Sequence, residues 1–149
     1  VGAMLVVNCL GDIVEPETGD IIAGALTEDQ KNFVNTEKLI LKEYKQKLNI
    51  FSGNTTLGII VTNANLNKVQ ANQISSLAHN GLAKIISPVH TQYDGDTIFT
   101  MSTGRIKTDL LVLKVLAVKA VENAILNGVK NAEGIAGCPS FNDIKNKKQ

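Results

Sequence analysis

Cysteine, long apolar runs and an excess of either charge are all scarce in this 149-residue chain. Its only two cysteines, Cys9 and Cys138, lie far apart without CxxC spacing, which is typical of reduced thiols in a cytoplasmic protein. No Cys/His cluster has the spacing of zinc ligands, so no metal site is predicted. No apolar run approaches the roughly 20 residues that span a bilayer, and the net charge of +1 indicates neither nucleic acid nor an anionic membrane as a partner.

Signature motifs of several enzyme classes are also missing. The sequence contains no GxSxG nucleophile elbow, no Walker A loop and no GxGxxG, so no cofactor is predicted. The two histidines therefore have no elbow serine to activate. His79 falls late in a predicted helix and is interpreted as a structural or surface residue, whereas His90 precedes Asp94 in a loop and is better placed to approach a site.

Hydrophobic residues make up 44% of the chain and charged residues 19%, which favours a packed core and one domain or part of one. The chain opens on a strand-like apolar run, so we expect the C-terminal part of a longer protein. Apolar patterning predicts strands at 2–8, buried on both faces, and at 20–25, 57–62 and 97–102. Helices are predicted at 29–48, Lys68–Ile85 and 109–127.

Two of these helices carry more specific expectations. The helix at 29–48 is predicted to begin with Thr27 as N-cap and Gln30 as its capping-box partner, and to form a linker before Gly53. The helix at 109–127 is apolar over much of its circumference, so it is predicted to be buried between layers. The alternation of strands and helices predicts a layered α/β fold and leaves the strand directions open.

The most informative stretch is a turn that enters a strand, Gly53-Asn54-Thr55-Thr56. Cleavage of the bond between Asn54 and Thr55 would leave Thr55 with a free α-amine beside its own hydroxyl. Because an α-amine has a pKa of about 8, it can serve as the base that a hydroxyl nucleophile needs. Gly-Asn before a strand is also a common turn, so these residues alone leave both interpretations open.

Two further places could carry chemistry. Asp94-Gly95-Asp96 precedes a strand and offers either an acid/base or amine-anchoring pair, or an ordinary turn. A divalent cation is disfavoured there because no loop gathers the roughly six oxygens that it needs. Asn8 ends the first strand, where its amide could donate to an oxyanion or simply terminate the strand.

Several motifs occur together in one order: VGAMLVVNCLGDIVEPETGDIIAGA, then GNTTLGIIVTNANLNKVQ, then AHNGLAKIISPVHTQYDGDTIF. Over about residues 1–140 this chain resembles the DmpA-like family of self-processing aminopeptidases. That family includes the L-aminopeptidase/D-amidase-esterases and the β-peptidyl aminopeptidases. The resemblance implies a four-layer αββα sandwich of the DmpA/ornithine acetyltransferase type and cleavage of the precursor before a Ser or Thr.

The resemblance also implies roles for particular residues. Thr55 would be the nucleophile after cleavage behind Asn54, and Asn8 would help to form the oxyanion hole. Asp94 and Asp96 align with a Ser-Gly-Glu triplet, in which the first position assists the nucleophile and the acidic one contacts the substrate amine. The chain departs from the family pattern in two ways: Thr replaces the more familiar Ser nucleophile, and Asp94 stands where a Ser hydroxyl is expected.

On this resemblance, residues 1–54 would end an α-chain with its linker, and 55–149 would form a β-chain with the N-terminal nucleophile. The enzyme would hydrolyse the amide or ester bond after an N-terminal amino acid in small peptides. The implied partners are the N-terminal half of the precursor, which supplies part of the pocket, and further copies in a homo-oligomer.

Two other functions stay open. One is a non-catalytic relative that acts as an assembly subunit, and the other is a Thr-nucleophile acyltransferase of the ornithine acetyltransferase type. The run PVHTQYDGDTIF favours the peptidase.

Overall fold

A computed structural model describes residues 1–43 and 53–147 as a mixed α/β fold, which confirms the predicted class. In chain order its elements are β1 (Gly2–Asn8), β2 (Asp12–Val14), β3 (Ile21–Ala23), α1 (Thr36–Glu43), β4 (Thr55–Ala64), α2 (Lys68–Ile85), β5 (Ile86–Ser87), β6 (Thr97–Ile106), α3 (Leu110–Asn131) and α4 (Phe141–Lys147).

The strands form two three-stranded sheets. In the main sheet the order is β1-β4-β6, with β1 antiparallel to β4 and β4 parallel to β6. Parallel neighbours need a crossover connection, and here the crossover from β4 to β6 contains α2. The smaller sheet has the order β3-β2-β5 and is antiparallel throughout.

The core lies where α2 and α3 cover one face of the main sheet. Fully buried aliphatic side chains from the helices meet those of the sheet there: Ile60, Ile74, Leu82, Val121 and Ile125. Gly81 lets the two helices approach closely, because a Cβ at this position would lie 2.7 Å from the Val121 Cβ. An Asn-Gly pair often marks a turn, but here Asn80-Gly81 lies inside α2, which continues to Ile85 because Gly81 packs against α3.

The opposite face of the main sheet is apolar and exposed in the described structure. Side chains alternate between the two faces of a strand, and Met4, Val6 and Phe99 on the uncovered face are 73%, 70% and 62% exposed. The prediction that β1 is buried on both faces is therefore wrong for the described residues. The burial predicted for the last long helix is also only half right, since α3 leaves Leu111 and Val112 exposed.

The prediction of a helix that starts after Thr27 is wrong for the first part of that segment. The Thr27 hydroxyl donates to the Asp29 carboxylate, and Thr27 N–H bonds to the Asn32 carbonyl, which closes a turn. The helix begins instead at Thr36, whose N–H and hydroxyl donate to the buried Asp12 carboxylate at 2.7 Å and 2.9 Å. The end of that prediction, at 44–48, and the linker up to Gly53 lie largely outside the described residues.

The other predicted elements are confirmed, and all except α2 have changed bounds. Asn67 and Gln70 form a capping box at the start of α2, which has the predicted limits. Asp109 caps α3, which ends at Asn131 rather than 127. The short strands β2 and β5 and the final helix α4 were not predicted. Among residues 1–43 and 53–147, no helix is long and apolar enough to cross a membrane.

An ion-paired carboxylate links the two long helices. Glu122 on α3 is 4% exposed and lies 2.9 Å from Lys84 Nζ on α2 and 3.0 Å from Lys119 Nζ. Burial favours the protonated acid, but the hydrogen bonds and charges of the two lysines outweigh it and leave the pKa of Glu122 below its ordinary value. Its ionised form therefore stabilises the helix pair.

We expect Glu122→Gln to lower the free energy of unfolding by about 1 kcal/mol at neutral pH, since both lysines are partly exposed and screened. Because the folded pKa is lowered, this contribution is complete above the ordinary value of 4.5 and is lost as the pH falls through the lowered pKa. Denaturant unfolding at neutral and acid pH measures the difference, with exposed Glu133→Gln as the control. A difference between Glu122→Gln and the parent protein that is equally large in acid would contradict this assignment.

Candidate active site

Strand direction brings the predicted site residues to one edge of the main sheet. The first residues of β4 and β6 meet there because these strands are parallel, and the last residue of antiparallel β1 meets them. Asn8 pairs with Thr55, and Asn54 forms a parallel bridge with Asp94. All of the predicted site residues therefore belong to this edge, which is the N-terminal end of the central strand.

Two donors converge on the carbonyl of Asn54. The Thr55 hydroxyl donates to this oxygen at 2.6 Å, and the Gly95 N–H donates to it at 3.0 Å. Gly95 also leaves the space that the hydroxyl occupies, because a Cβ there would lie 2.8 Å from Thr55 Oγ1. The carbonyl of the predicted scissile bond is thus polarised by a backbone donor and touched by the hydroxyl of the next residue.

The side chain of Asn8 contacts the carbonyl of Gly53, the residue before Asn54. Its Nδ2 donates to the Gly53 carbonyl at 3.0 Å. This contact ties the end of β1 to the turn that precedes the predicted cleavage point. In the intact chain the amide of Asn8 therefore binds Gly53 rather than the carbonyl of Asn54.

The two predicted carboxylates have different partners. Asp94 Oδ2 accepts from Thr91 N–H at 2.8 Å and from the Thr91 hydroxyl at 2.7 Å, which closes the loop before β6. The side chain of Asp96 is 3% exposed, and its Oδ1 accepts from Thr56 N–H at 2.8 Å. Asp96 thus holds the backbone directly after Thr55, whereas Asp94 shapes the loop that carries Gly95.

Polar groups behind the sheet edge are buried and incompletely satisfied. Within the described residues, Asp96 Oδ2 and the Thr56 hydroxyl oxygen accept or donate no hydrogen bond. His90 Nδ1 lies 3.5 Å from Asp96 Oδ2, and the His79 ring centroid is 5.2 Å from that of His90. Burial and the neighbouring His90 lower the pKa of His79, against an opposing effect of Asp96.

The structure supports the sequence-based interpretation that His90, more than His79, approaches the site. The pairing of His90 with Asp96 was not predicted, because the two residues are six positions apart in a loop without periodicity. The hydrogen bond from the Thr56 N–H to Asp96 was also not predicted. The position of Thr56 directly after the predicted nucleophile was the only available signal.

Cys9 was also missed as a neighbour of the site. Burial raises the pKa of its thiol to about 11, opposed by a backbone hydrogen bond and reinforced by the negative charges of Asp96, Asp94 and Asp12. The thiol donates to the Gly11 carbonyl at 3.1 Å. Cys9 is therefore a neutral packing group beside the carboxylates.

No metal site is found in the parts of the chain that the structure describes. There, no three or more His, Cys, Asp or Glu side chains come together as a ligand set. The carboxylates at the sheet edge instead accept hydrogen bonds from Thr91 and Thr56.

This sheet edge combines a threonine hydroxyl and a backbone donor on one peptide carbonyl with a buried carboxylate on the N–H of Thr56, and these are parts that an amide-cleaving site needs. A family model described as Peptidase family S58 matches residues 1–141. The chain belongs to this peptidase family, as its resemblance to the DmpA-like proteins implied.

Individual relatives are consistent with that assignment. The chain is 32% identical over 163 residues to an uncharacterized aminopeptidase of Mycobacterium tuberculosis, covering 97% of this chain and 47% of that protein. It is 30% identical over 156 residues to one from Mycobacterium leprae, covering 95% and 43%. A 6-aminohexanoate-oligomer endohydrolase of Paenarthrobacter ureafaciens is 32% identical over 92 residues, covering 53% and 26%. The chain spans about half the length of the mycobacterial relatives it matches.

We expect Cys9 to resist alkylation at mildly alkaline pH. With a pKa of about 11, about a thousandth of the thiol is ionised at a pH of about 8, and only the thiolate reacts. Iodoacetamide should therefore modify Cys138→Ser protein, which retains only Cys9, at least about 100-fold more slowly than Cys9→Ser protein, which retains the exposed Cys138. Similar rates measured by mass spectrometry would show that Cys9 is not held in this environment.

Proposed function

We propose that this chain is the C-terminal part of a self-cleaving aminopeptidase/amidase that uses Thr55 as its N-terminal nucleophile. The observation that carries the proposal is the convergence of the Thr55 hydroxyl and the Gly95 N–H on the carbonyl oxygen of Asn54. Membership of a peptidase family supports hydrolysis as the reaction class.

Self-cleavage would begin with attack of Thr55 Oγ on the carbonyl carbon of Asn54. An Oγ–C bond forms as the C–N bond breaks, and the hydroxyl proton passes to the departing nitrogen of Thr55. The Gly95 N–H stabilises the negative charge that develops on the carbonyl oxygen, a contribution of about 3 kcal/mol for one such donor. Water then hydrolyses the ester, which gives a carboxylate on Asn54 and restores the hydroxyl of Thr55, whose α-amine the first step has already released.

The mature enzyme would use the same atoms on a substrate. The α-amine of Thr55 takes the proton from its own hydroxyl as Oγ attacks a substrate amide or ester. Departure of the segment that ends at Asn54 would release the amide of Asn8 from the Gly53 carbonyl, so that it can donate to the substrate oxyanion.

The two carboxylates complete the proposed site. Asp96, whose Oδ1 holds the Thr56 N–H, is the carboxylate proposed to anchor the free amino group of a substrate, as the resemblance to the DmpA-like family implies. Asp94 assists the nucleophile through the loop that positions Gly95 beside Thr55. A carboxylate beside the amine is the expected recognition element for an N-terminal amino acid.

The substrates proposed are small peptides and amino-acid amides or esters. Relatives named as an aminopeptidase and as an endohydrolase of 6-aminohexanoate oligomers support amide hydrolysis. The pocket walls that would select a side chain are expected from the other half of the precursor.

The proposed architecture is the four-layer αββα sandwich, with residues 1–54 at the end of the α-chain and 55–149 as the β-chain. Its support is the exposed apolar face of the main sheet, which includes Met4, Val6 and Phe99. A sheet from the N-terminal half of the precursor would bury this face, as in other packed pairs of sheets. Assembly as a cytoplasmic homo-oligomer remains part of this proposal.

The central test is the intact mass of the full-length precursor in three forms. We expect the parent protein and Thr55→Ser to be cleaved between residues 54 and 55, and Thr55→Ala to remain whole, because only the first two retain a hydroxyl nucleophile. Cleavage of Thr55→Ala at this bond would exclude Thr55 as the nucleophile. A parent protein that stays intact would favour the non-catalytic relative, and acetyl transfer to an amine acceptor would favour the acyltransferase.

A second test concerns the space beside the hydroxyl. We expect Gly95→Ala to slow self-cleavage about 10-fold or more, because the added methyl group would displace Thr55 Oγ1 while the backbone N–H remains. Pulse-labelled precursor separated on gels gives the rate. Gly128→Ala, where a Cβ meets no atom within 4 Å, is the matched control and should cleave at the parent rate. An unchanged rate in Gly95→Ala would show that this geometry is not needed.

A further inference from the structure

Asp96 is a buried carboxylate with one satisfied oxygen. Its side chain is 3% exposed, Oδ1 accepts from Thr56 N–H at 2.8 Å, and Oδ2 accepts no hydrogen bond within the described part of the chain. A buried charge is costly unless it is paired and hydrogen-bonded on all sides. The atom best placed to donate a hydrogen bond to this second oxygen is Nδ1 of His90, which lies 3.5 Å from Oδ2.

The backbone at His90 is held in an uncommon conformation. Its φ is +56°, in the left-handed region that few non-glycine residues adopt. Such conformations persist where surrounding structure over-determines them, and they recur at functional sites. Here the conformation accompanies an imidazole that lies beside a buried carboxylate and against a second histidine ring.

We infer that His90 is a positioning residue: its Nδ1–H donates to Asp96 Oδ2 and so fixes the carboxylate that holds the backbone next to Thr55. This inference rests on the proposed function. The chain of contacts runs from His90 through Asp96 to the N–H of Thr56, the residue that follows the nucleophile.

Three titratable groups besides His90 surround the pair. His79 faces the His90 ring from α2, Asp94 lies in the same loop, and Cys9 lies after β1. At His79, the neighbouring His90 disfavours a positive charge and Asp96 favours it. Because Cys9 is neutral at ordinary pH, Asp96 is the acidic group that lies within ion-pair distance of His90 in the described structure.

The inference predicts a loss of self-cleavage that a hydrogen-bond donor at position 90 restores, which a purely structural role would not produce. Without His90, Asp96 keeps only the Thr56 N–H as a described partner, so the carboxylate and the start of β4 are held less firmly. The rate of self-cleavage should therefore fall about 10-fold in His90→Ala, because a misplaced nucleophile attacks more slowly.

The experiment uses full-length precursor made by cell-free translation, pulse-labelled and followed on gels. His90→Asn is the conservative variant, because Asn places a donor near Nδ1 and tolerates a positive φ. It should restore the rate of self-cleavage toward that of the parent protein even if His90→Ala folds poorly. His79→Asn is the matched control, because it keeps both His90 and Asp96, and its rate should match that of the parent.

An unchanged rate in His90→Ala would overturn the inference, and so would a failure of His90→Asn to restore a reduced rate. A second readout does not depend on cleavage. In uncleaved Thr55→Ala protein, the NMR signal of His90 Nδ1 should shift when Asp96→Asn is added, because the hydrogen bond to the carboxylate is lost. Identical signals would show that the pair does not form.

The two proposals fail in different ways. If the parent precursor never cleaves, the proposed function fails and the positioning role fails with it, whatever the NMR signals show. If the parent precursor cleaves at Thr55 and the variants of His90 leave the rate unchanged, the nucleophile stands and only the role of His90 is lost.

Discussion

Parallel pairing of β4 with β6 is the constraint on which the rest of the site depends. It places the first residues of both strands at one edge of the sheet, so that Thr55 lies beside the loop containing Gly95. The antiparallel partner β1 then delivers its last residue, Asn8, to the same edge. Were β6 antiparallel to β4, its first residues would lie about 30 Å away at the other end of a ten-residue strand.

The site is built mainly from backbone groups and buried polar atoms, and this has consequences for its energetics. The Gly95 N–H is held on the Asn54 carbonyl beside the bridge between Asn54 and Asp94, so in the proposed reaction it needs no reorganisation to meet a developing charge. Asp96 is buried behind it, where its carboxylate accepts from the Thr56 N–H, at some cost to stability. Buried polar groups without a full set of hydrogen bonds are expected at functional sites.

One face of the main sheet is apolar and uncovered in the described structure. The helices cover one face of the main sheet and leave Met4, Val6 and Phe99 on the other. Such a continuous apolar face on a strand-rich surface marks an interaction site. The chain spans 47% of its mycobacterial relative, so a covering layer from the same precursor is the simplest proposal for what occupies this face.

Local patterns in the sequence were sufficient to determine several elements, because their causes are local. The start of α2 follows from the apolar spacing and the Asn67–Gln70 capping box, and β4 follows from its run of β-branched residues. The family could be named from the order of its motifs, whereas the catalytic roles of the turn before Thr55 and of the Asp94-Gly95-Asp96 loop stay predictions.

Tertiary structure alone decided the remainder. The start of α1 at Thr36 depends on Asp12, 24 residues earlier, and no local signal reveals that contact. The pairing of His90 with Asp96 and the exposure of one face of β1 depend on strand direction and on which layers are present. Sequence patterns report what each segment prefers, whereas strand order and direction decide which distant side chains meet, because those depend on contacts between segments.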